Sequence, residues 1–226
     1  MTPLSIKNKI DRNGFMLAAD TIYFNNWCKT LYMSIRKHAP WAHIHFHIFD
    51  ATSQDQEWLN THPCTYTTEV TPEHYATDND TAKKYWVAAR YFRVPEIYTD
   101  STLVIDLDAD SVMVNPLSQE TFEQDLQRSW VPTRPASLAS AVAFGQDNVR
   151  HIFAERLLDV YHNGSLRWGE DQIILNEMLA NNEIGAMDLR YTHFKFDPNA
   201  YIWTGKGERV NRRQFQEAIK PYQALV

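Results

Sequence analysis

Cysteine and glycine are scarce in this chain of 226 residues: two of the first, seven of the second. Cys28 and Cys64 cannot build a disulfide framework, a zinc knuckle or a CxxC redox pair. They read as ordinary thiols of a reducing compartment, so a cytoplasmic location is expected. Few glycines argue against collagen-like sequence and against Gly-rich phosphate loops. No stretch approaches 18 consecutive apolar residues, which excludes a membrane-spanning helix. Residues 1–14 hold no apolar run long enough for a signal peptide. Lys and Arg number 22 against 28 Asp and Glu, a net charge of -6. An acidic chain is a poor general binder of nucleic acid, and none is expected as a partner. With no long basic amphipathic tail, stable membrane insertion is not expected either. Internal repeats, low-complexity tracts and Pro/Gly/Ser linkers are also lacking, so residues 1–226 are expected to form one domain.

What is present is the composition of a soluble globular protein: 44% hydrophobic and 22% charged residues, with aromatics at 13%. A chain of this length buries roughly 70% of its unfolded surface. Phe15 to Ala19 is an apolar run ending at Asp20 and predicts a strand. Tyr23, Trp27, Leu31 and Ile35 then recur every four residues, one face of a helix that ends before Pro40. His43 to Phe49 alternates strictly, which predicts a strand with Ile44, Phe46 and Ile48 inward and His43, His45 and His47 on an outward face. Further helices are expected over Thr81–Val94, stopped by Pro95, and over Asn148–Tyr161, Trp168–Leu179 and Asn211–Ile219. Strands are expected at Thr102–Ile105 and Leu138–Phe144. The strand–helix alternation predicts an α/β sheet with parallel pairing, and such sheets bind ligands beyond their carboxyl strand ends.

Asp106-Leu107-Asp108-Ala109-Asp110 closes one of those strands. Alternate carboxylates on extended backbone point the same way and can share a cation. Hard oxygen donors of this kind suit Mg²⁺ or Mn²⁺, which usually also hold substrate phosphates. Apolar segments on both sides, Leu103–Ile105 and Val112–Val114, separate the cluster from an ordinary solvated loop. An EF-hand starting at Asp106 would need Gly at its sixth and Glu at its twelfth position; Ser111 and Leu117 stand there. A phosphatase that uses the first Asp of a DxD as nucleophile remains a competing reading.

Several segments in order resemble glycosyltransferases of the GT-A fold, closest to family 8, the type that includes glycogenin and the lipopolysaccharide galactosyltransferases, in a compact bacterial or phage form. They are Leu17-Ala18-Ala19-Asp20 with Tyr23; Tyr85 to Arg90; Leu107-Asp108-Ala109-Asp110 through Leu117; and Asp171-Gln172-Ile173-Ile174-Leu175-Asn176. The resemblance implies a single Rossmann-like mixed sheet flanked by helices. It also implies a metal-dependent transfer of a hexose from a nucleotide sugar, UDP-sugar favoured, to an acceptor hydroxyl of unknown identity, with retention of configuration.

The resemblance then assigns roles. Ala18, Ala19, Asp20 and Tyr23 line the nucleotide pocket, although Tyr23 also fits as a core residue of its helix face. Asp108 meets ribose and metal, and Asp110 the metal, which is Mn²⁺ or Mg²⁺. Asp106 stands where the family has an apolar or aromatic residue, and either adjusts the site's charge or is buried with a partner. Arg90 lies near the diphosphate or sugar, while Lys83, Lys84 and Arg93 read as a solvated helix face. Asp171 holds sugar hydroxyls and Gln172 lies beneath the anomeric carbon, with helix capping the competing reading of Asp171. Ser140 falls loosely where an N-x-G segment cradles the sugar. Gly205 and Lys206 match a closing loop that holds the diphosphate. The family's metal-ligating His near that loop is replaced by Ile202, which leaves His193 as the candidate third ligand, with a place in a strand over Arg190 to Phe196 as its competing reading. Trp168 and Trp203 flank these motifs and suit either sugar stacking or packing. Beside the transferase stand two other readings: the DxD phosphohydrolase and a catalytically silent nucleotide-sugar-binding module.

Overall fold

The structure is a computed structural model that describes residues 4, 6, 8–134, 137–138 and 141–226. Strand β1 (Gly14–Asp20) leads into a short helix α1 (Thr21–Tyr23), a π-helical stretch (Phe24–Cys28) and helix α2 (Lys29–His38). Strand β2 (His43–Phe49), helix α3 (Ser53–Thr61) and strand β3 (Thr65–Glu69) follow. The middle of the chain supplies α4 (Asn79–Phe92), α5 (Val94–Ile97), β4 (Val104–Leu107), β5 (Ser111–Met113), α6 (Gln119–Asp125), β6 (Trp130–Arg134), β7 (Ser137–Leu138) and β8 (Ala141–Phe144). Helices α7 (Val149–His162) and α8 (Glu170–Ala180), strands β9 (Gly185–Met187) and β10 (Ile202–Thr204), and helix α9 (Arg213–Gln223) complete it.

The main sheet runs β3-β2-β1-β4-β8-β6-β7, with β9 beside β6. Strands β1 to β4 are parallel, β8 runs antiparallel to β4, and β6 antiparallel to β8. The mixed α/β sheet that the sequence predicts is therefore present. The chain moves outward from β1 through β2 to β3, then returns to lay β4 on the other side of β1. Side chains beyond the carboxyl ends of β1 and β4 face the crevice that this reversal opens.

Alternation along β1 feeds two cores. Phe15, Leu17 and Ala19 pack with Phe24, Leu31, Ile35 and Phe46 on one side. Met16 packs with Tyr85 of α4, Val104, Val142, Phe153 of α7 and Leu175 of α8 on the other. Because helices cover both faces, the histidine side of β2 is not outward. His43, His45 and His47 are all buried. Their rings pair with the Thr/Glu row of β3. His43 Nε2 meets Thr65 Oγ1 at 2.8 Å, and Thr65 Oγ1 meets His45 Nδ1 at 2.8 Å. His45 Nε2 meets Thr67 Oγ1 at 3.1 Å, and Thr67 Oγ1 meets His47 Nδ1 at 2.8 Å. His47 Nε2 reaches Glu69 Oε2 at 3.1 Å. Glu69 also accepts from Tyr85 and Arg93. Burial alone would raise its pKa, but these bonds hold it down at about 2.

Two other expectations are corrected. Pro95 does not stop the long helix. Helix α4 is capped by Asp78, whose Oδ1 accepts from Thr81 N at 2.8 Å, and ends at Phe92. Pro95 sits in the first turn of α5, where its lost N–H is one no helix would use. Around His193 there is no strand over 190–196; a 3₁₀ turn, Leu189–Tyr191, precedes an isolated bridge from His193 to Trp203.

A second, two-stranded ribbon pairs β10 antiparallel to β5, Thr204 opposite Ser111. The Thr204 hydroxyl lies 3.0 Å from those of both Ser111 and Thr192. Helix α9 buries Phe215, Ile219 and Tyr222 against Val112 and Phe196 beneath this ribbon.

Candidate active site

A cleft of about 410 Å³ opens at the carboxyl ends of β1 and β4. Ala18, Ala19 and Asp20 supply one wall from β1. Asp20 ends the strand and caps α1, its Oδ1 accepting from Tyr23 N at 2.7 Å. Burial raises its pKa against the pull of that bond. Tyr23 lines the same wall and is 44% exposed, so it is a cleft residue and not part of the core.

Helix α4 supplies the opposite wall. Arg90 projects into it, and residues three, four and seven positions earlier share its helical face. They are Val87, Trp86 and Lys83, all of which line the cleft. Trp86 stacks on Phe49 at 6.2 Å between ring centres. Its indole N–H donates to Thr71 Oγ1 at 2.7 Å, and the Thr71 hydroxyl donates in turn to Asp50. The α4 basic residues thus divide. Lys83 borders the cleft, whereas Arg93 is buried and bound to Glu69 and Glu96, not solvated.

The acidic cluster forms the floor. Asp106 is the last but one residue of β4 and is fully buried; Asp108 and Asp110 follow in the turn to β5 and face the cleft. Arg90 ties the cluster together. Its Nη1 donates to Asp108 Oδ1 at 3.0 Å, its Nη2 to the Tyr91 hydroxyl at 2.7 Å, and its Nε lies 3.3 Å from Asp106 Oδ2. The departure at Asp106 thus resolves as a buried acid with a partner. Burial pushes its carboxyl up to about 7, against Arg90. Burial and the charge of Asp108 push Asp110 to about 7 as well.

Helix α8 closes a third side. Gly169 precedes it at φ 82°, a left-handed conformation that glycine adopts without strain. Asp171 is the second helical residue, so its side chain is not the N-cap, although an acid in this first turn also suits the helix dipole. Its side chain is buried at the cleft, with Oδ1 unpartnered and Oδ2 accepting from Gln172 Nε2 at 3.2 Å. Burial raises its pKa. Trp168, 59% exposed, stands at the mouth. Trp203 does not; it packs against Phe196 and donates to Asp197 O at 2.7 Å.

The loop after β10 forms the last side. Gly205 N donates to Asp110 O at 2.8 Å, which brings Lys206 Nζ to 3.6 Å from Asp108 Oδ2. Lys206 and Gly207 line the cleft, while Gly205 lies behind it. A Cβ at Gly205 would meet the Phe215 ring at 2.8 Å, so its small size serves packing.

One cleft therefore gathers Ala18, Ala19, Asp20, Tyr23, Arg90, Asp108, Asp110, Asp171, Gln172 and Lys206. His193 is not in its lining, and its Nδ1 accepts from Asp197 N at 2.9 Å. Ser140 lies outside the described residues. Among the described residues no group of three or more His, Cys, Asp or Glu side chains is placed to hold a metal ion. Lys83, Trp86 and Phe49 escaped sequence reasoning. Counting back along the helical face from Arg90 finds the first two; Phe49 is revealed only by the pairing of β2 with β1.

No protein-family model matches the sequence, and no curated protein matches it. Its structure is similar to the apo form of the glycosyltransferase GlyE from Streptococcus pneumoniae TIGR4, with a TM-score of 0.64 at 14% identity. That match covers 95% of this chain and 60% of the GlyE chain, so the chain spans about 60% of that relative. It is similar to the galactosyltransferase LgtC in complex with donor and acceptor sugar analogues, with a TM-score of 0.61, 14% identity and 94% of each chain covered. It is also similar to the apo form of the bifunctional glycosyltransferase WbbM, with a TM-score of 0.63 at 14% identity over 95% of this chain and 50% of that one. Identities this low speak to fold alone. Together with the strand order and the crevice between β1 and β4, they show that this chain has the GT-A fold.

Proposed function

We propose that this chain transfers a hexose from a nucleoside diphosphate sugar, UDP-sugar by preference, to an acceptor hydroxyl with retention of configuration. The observation that carries this reading is the convergence on one cleft of the Asp108/Asp110 pair, Lys206, and the Asp171/Gln172 pair from three separate elements. The carboxylate pair fits a divalent ion. Its donors are hard oxygens, and the crowding that raises Asp110 is what a cation would relieve. Beyond that pair, the remaining ligands would be donor phosphate oxygens and water, which Mg²⁺ and Mn²⁺ accept readily. Such an ion, when bound, would draw off charge developing on the departing diphosphate.

The protein's own groups divide the remaining work. Lys206 and Arg90 place positive charge beside the diphosphate. Asp171 Oδ1, without a hydrogen-bond partner among the described residues, accepts from a sugar hydroxyl. Gln172 lies beside it as a neutral dipole beneath the anomeric carbon, too weak a nucleophile for a covalent step. The C1–O bond to the diphosphate breaks, the bond to the acceptor oxygen forms on the same face, and the acceptor proton passes to the leaving phosphate. Asp20, Tyr23 and the Phe49–Trp86 stack hold the nucleoside.

The test is nucleoside diphosphate release from a panel of nucleotide sugars with Mn²⁺, Mg²⁺ or EDTA. Release from a UDP-sugar, lost in EDTA, is expected. Phosphate release from simple phosphomonoesters with no reaction of any nucleotide sugar would overturn the reading.

A further inference from the structure

Asp106 is an expensive residue for its position. It sits on a central strand, opposite Met16 on β1 and Val142 on β8. Its side chain is 0% exposed, and neither carboxylate oxygen makes a hydrogen bond. The flanking strand residues Val104 and Ile105 are what such a strand ordinarily holds. Removing a carboxylate from water without hydrogen bonds costs more than its Coulomb attraction returns, so an apolar side chain would serve the core as well or better. Something other than core stability therefore accounts for the acid.

Its ion-pair partner is Arg90, whose Nε lies 3.3 Å away, a charge contact without hydrogen-bond geometry. Nη1 and Nη2 of the same guanidinium are taken by Asp108 and Tyr91. These three contacts differ in permanence. Asp108 belongs to the carboxylate pair that faces the ligand, so donor binding competes for its oxygens. Tyr91 offers a neutral hydroxyl. Asp106 alone is an acid that is fully buried and outside the lining of the cleft.

We propose that Asp106 is a positioning residue: it anchors the Nε edge of Arg90, so that the other edge stays turned to the cleft when the donor engages Asp108. The inference rests on the transferase reading for its consequence, but the anchoring is a property of the protein alone. A guanidinium is suited to this division because its donors leave a rigid plane in different directions. Held on one edge, it presents the other without losing side-chain entropy on binding.

Two measurements test it. The first is a double-mutant cycle in nucleoside diphosphate release. Asp106→Asn is expected to lower kcat/KM about tenfold or more, chiefly through kcat, and to change it less than about twofold in an Arg90→Met background. Equal losses in both backgrounds overturn the proposal. The second is the order of the Arg90 side chain, read by NMR relaxation at its Nε–H, which is assigned by its disappearance in Arg90→Lys. Asp106→Asn is expected to take the order parameter from the rigid range of about 0.85 to below about 0.6, and an unchanged order parameter overturns the proposal. This readout needs no turnover, so it separates failure of the anchor from failure of the transferase reading. Should Asp106→Asn alone not fold, the pair Asp106→Asn with Arg90→Met removes both partners of that contact and is expected to fold as Arg90→Met does. A pair that stays unfolded while Arg90→Met folds overturns the proposal, because Asp106 would then serve the core.

Discussion

At the scale of single residues, charge in the cleft is arranged for a ligand at the expense of the folded chain. Asp110 is buried beside Asp108, and both its surroundings and its neighbour oppose ionisation. Asp110→Asn should therefore fold as well as the parent, with an unchanged circular dichroism spectrum, and lose metal-dependent nucleoside diphosphate release by about a hundredfold or more. Lys206→Ala removes a half-exposed side chain and should leave thermal stability unchanged within about 0.5 kcal/mol. It should weaken donor binding by about tenfold, read by calorimetry. These residues were legible because each sits in a short contiguous motif whose spacing carries the chemistry. Gly205 and Gly207 show where that legibility ends. Both stand in one tripeptide with Lys206, yet only three-dimensional packing against Phe215 decides that Gly205 faces inward and Gly207 lines the cleft. His193 failed for a related reason. Its type suits a metal, but a turn places it outside the cleft with its Nδ1 bound to backbone.

At the scale of elements, strand β2 carries the lesson. Its alternation was legible, but not the fact that both of its faces are covered, because the cover on the histidine face, such as Tyr98 against His45, comes from much later in the chain. The histidine row is buried neutral, with a consistent hydrogen-bond direction. Glu69, held ionised, can only accept, so His47 donates from Nε2 and must accept at Nδ1. The same argument repeats through Thr67, His45, Thr65 and His43, which makes all three imidazoles Nε2–H tautomers. Nitrogen-15 NMR at neutral pH should show that tautomer at each. Thr67→Val leaves His45 Nε2 and His47 Nδ1 without partners and should destabilise the protein by about 2–4 kcal/mol, measured by denaturant unfolding.

For the whole molecule, the buried groups set opposing pH dependences. Burial, aided by Arg12, lowers His43 to about 4, and burial also lowers His45 and His47. Below about pH 6.5 the unfolded chain takes up protons that these folded rings refuse, so they withdraw stability as pH falls toward 4. Asp106 and Asp110, raised to about 7, act in the other sense. Between pH 7 and their ordinary value near 3.8 the folded chain holds more protons than the unfolded one, so they add stability as pH falls. Replacing Asp110 by Asn removes part of that compensation. The variant's unfolding free energy should therefore drop more steeply than the parent's between pH 7 and 5. A divalent ion with UDP at a hundred times its dissociation constant should add about 2.7 kcal/mol, which for a chain of this size raises Tm by about 5–11 °C. An α/β class and the region of the site followed from strand–helix alternation and from Asp20 and Asp108 at strand ends. In the antiparallel half β8 was legible as the apolar run ending at Phe144, whereas β6, β7 and β9 were not, since strands of two to five residues carry too little alternation.

The backbone bond from Gly205 to Asp110, with the ribbon of β5 and β10, leaves the cleft incomplete until residues beyond 200 have been synthesised. Its first wall is fixed by residue 20 and its floor by residue 110, but Lys206 and Gly207 arrive nearly a hundred residues later. At about 5–20 residues per second, the ribosome takes roughly 5–20 seconds to cover that interval. Throughout it, a nascent chain carries the acidic floor without the lysine that faces it, so the proposed donor is expected to be retained only after residue 206 has folded into place.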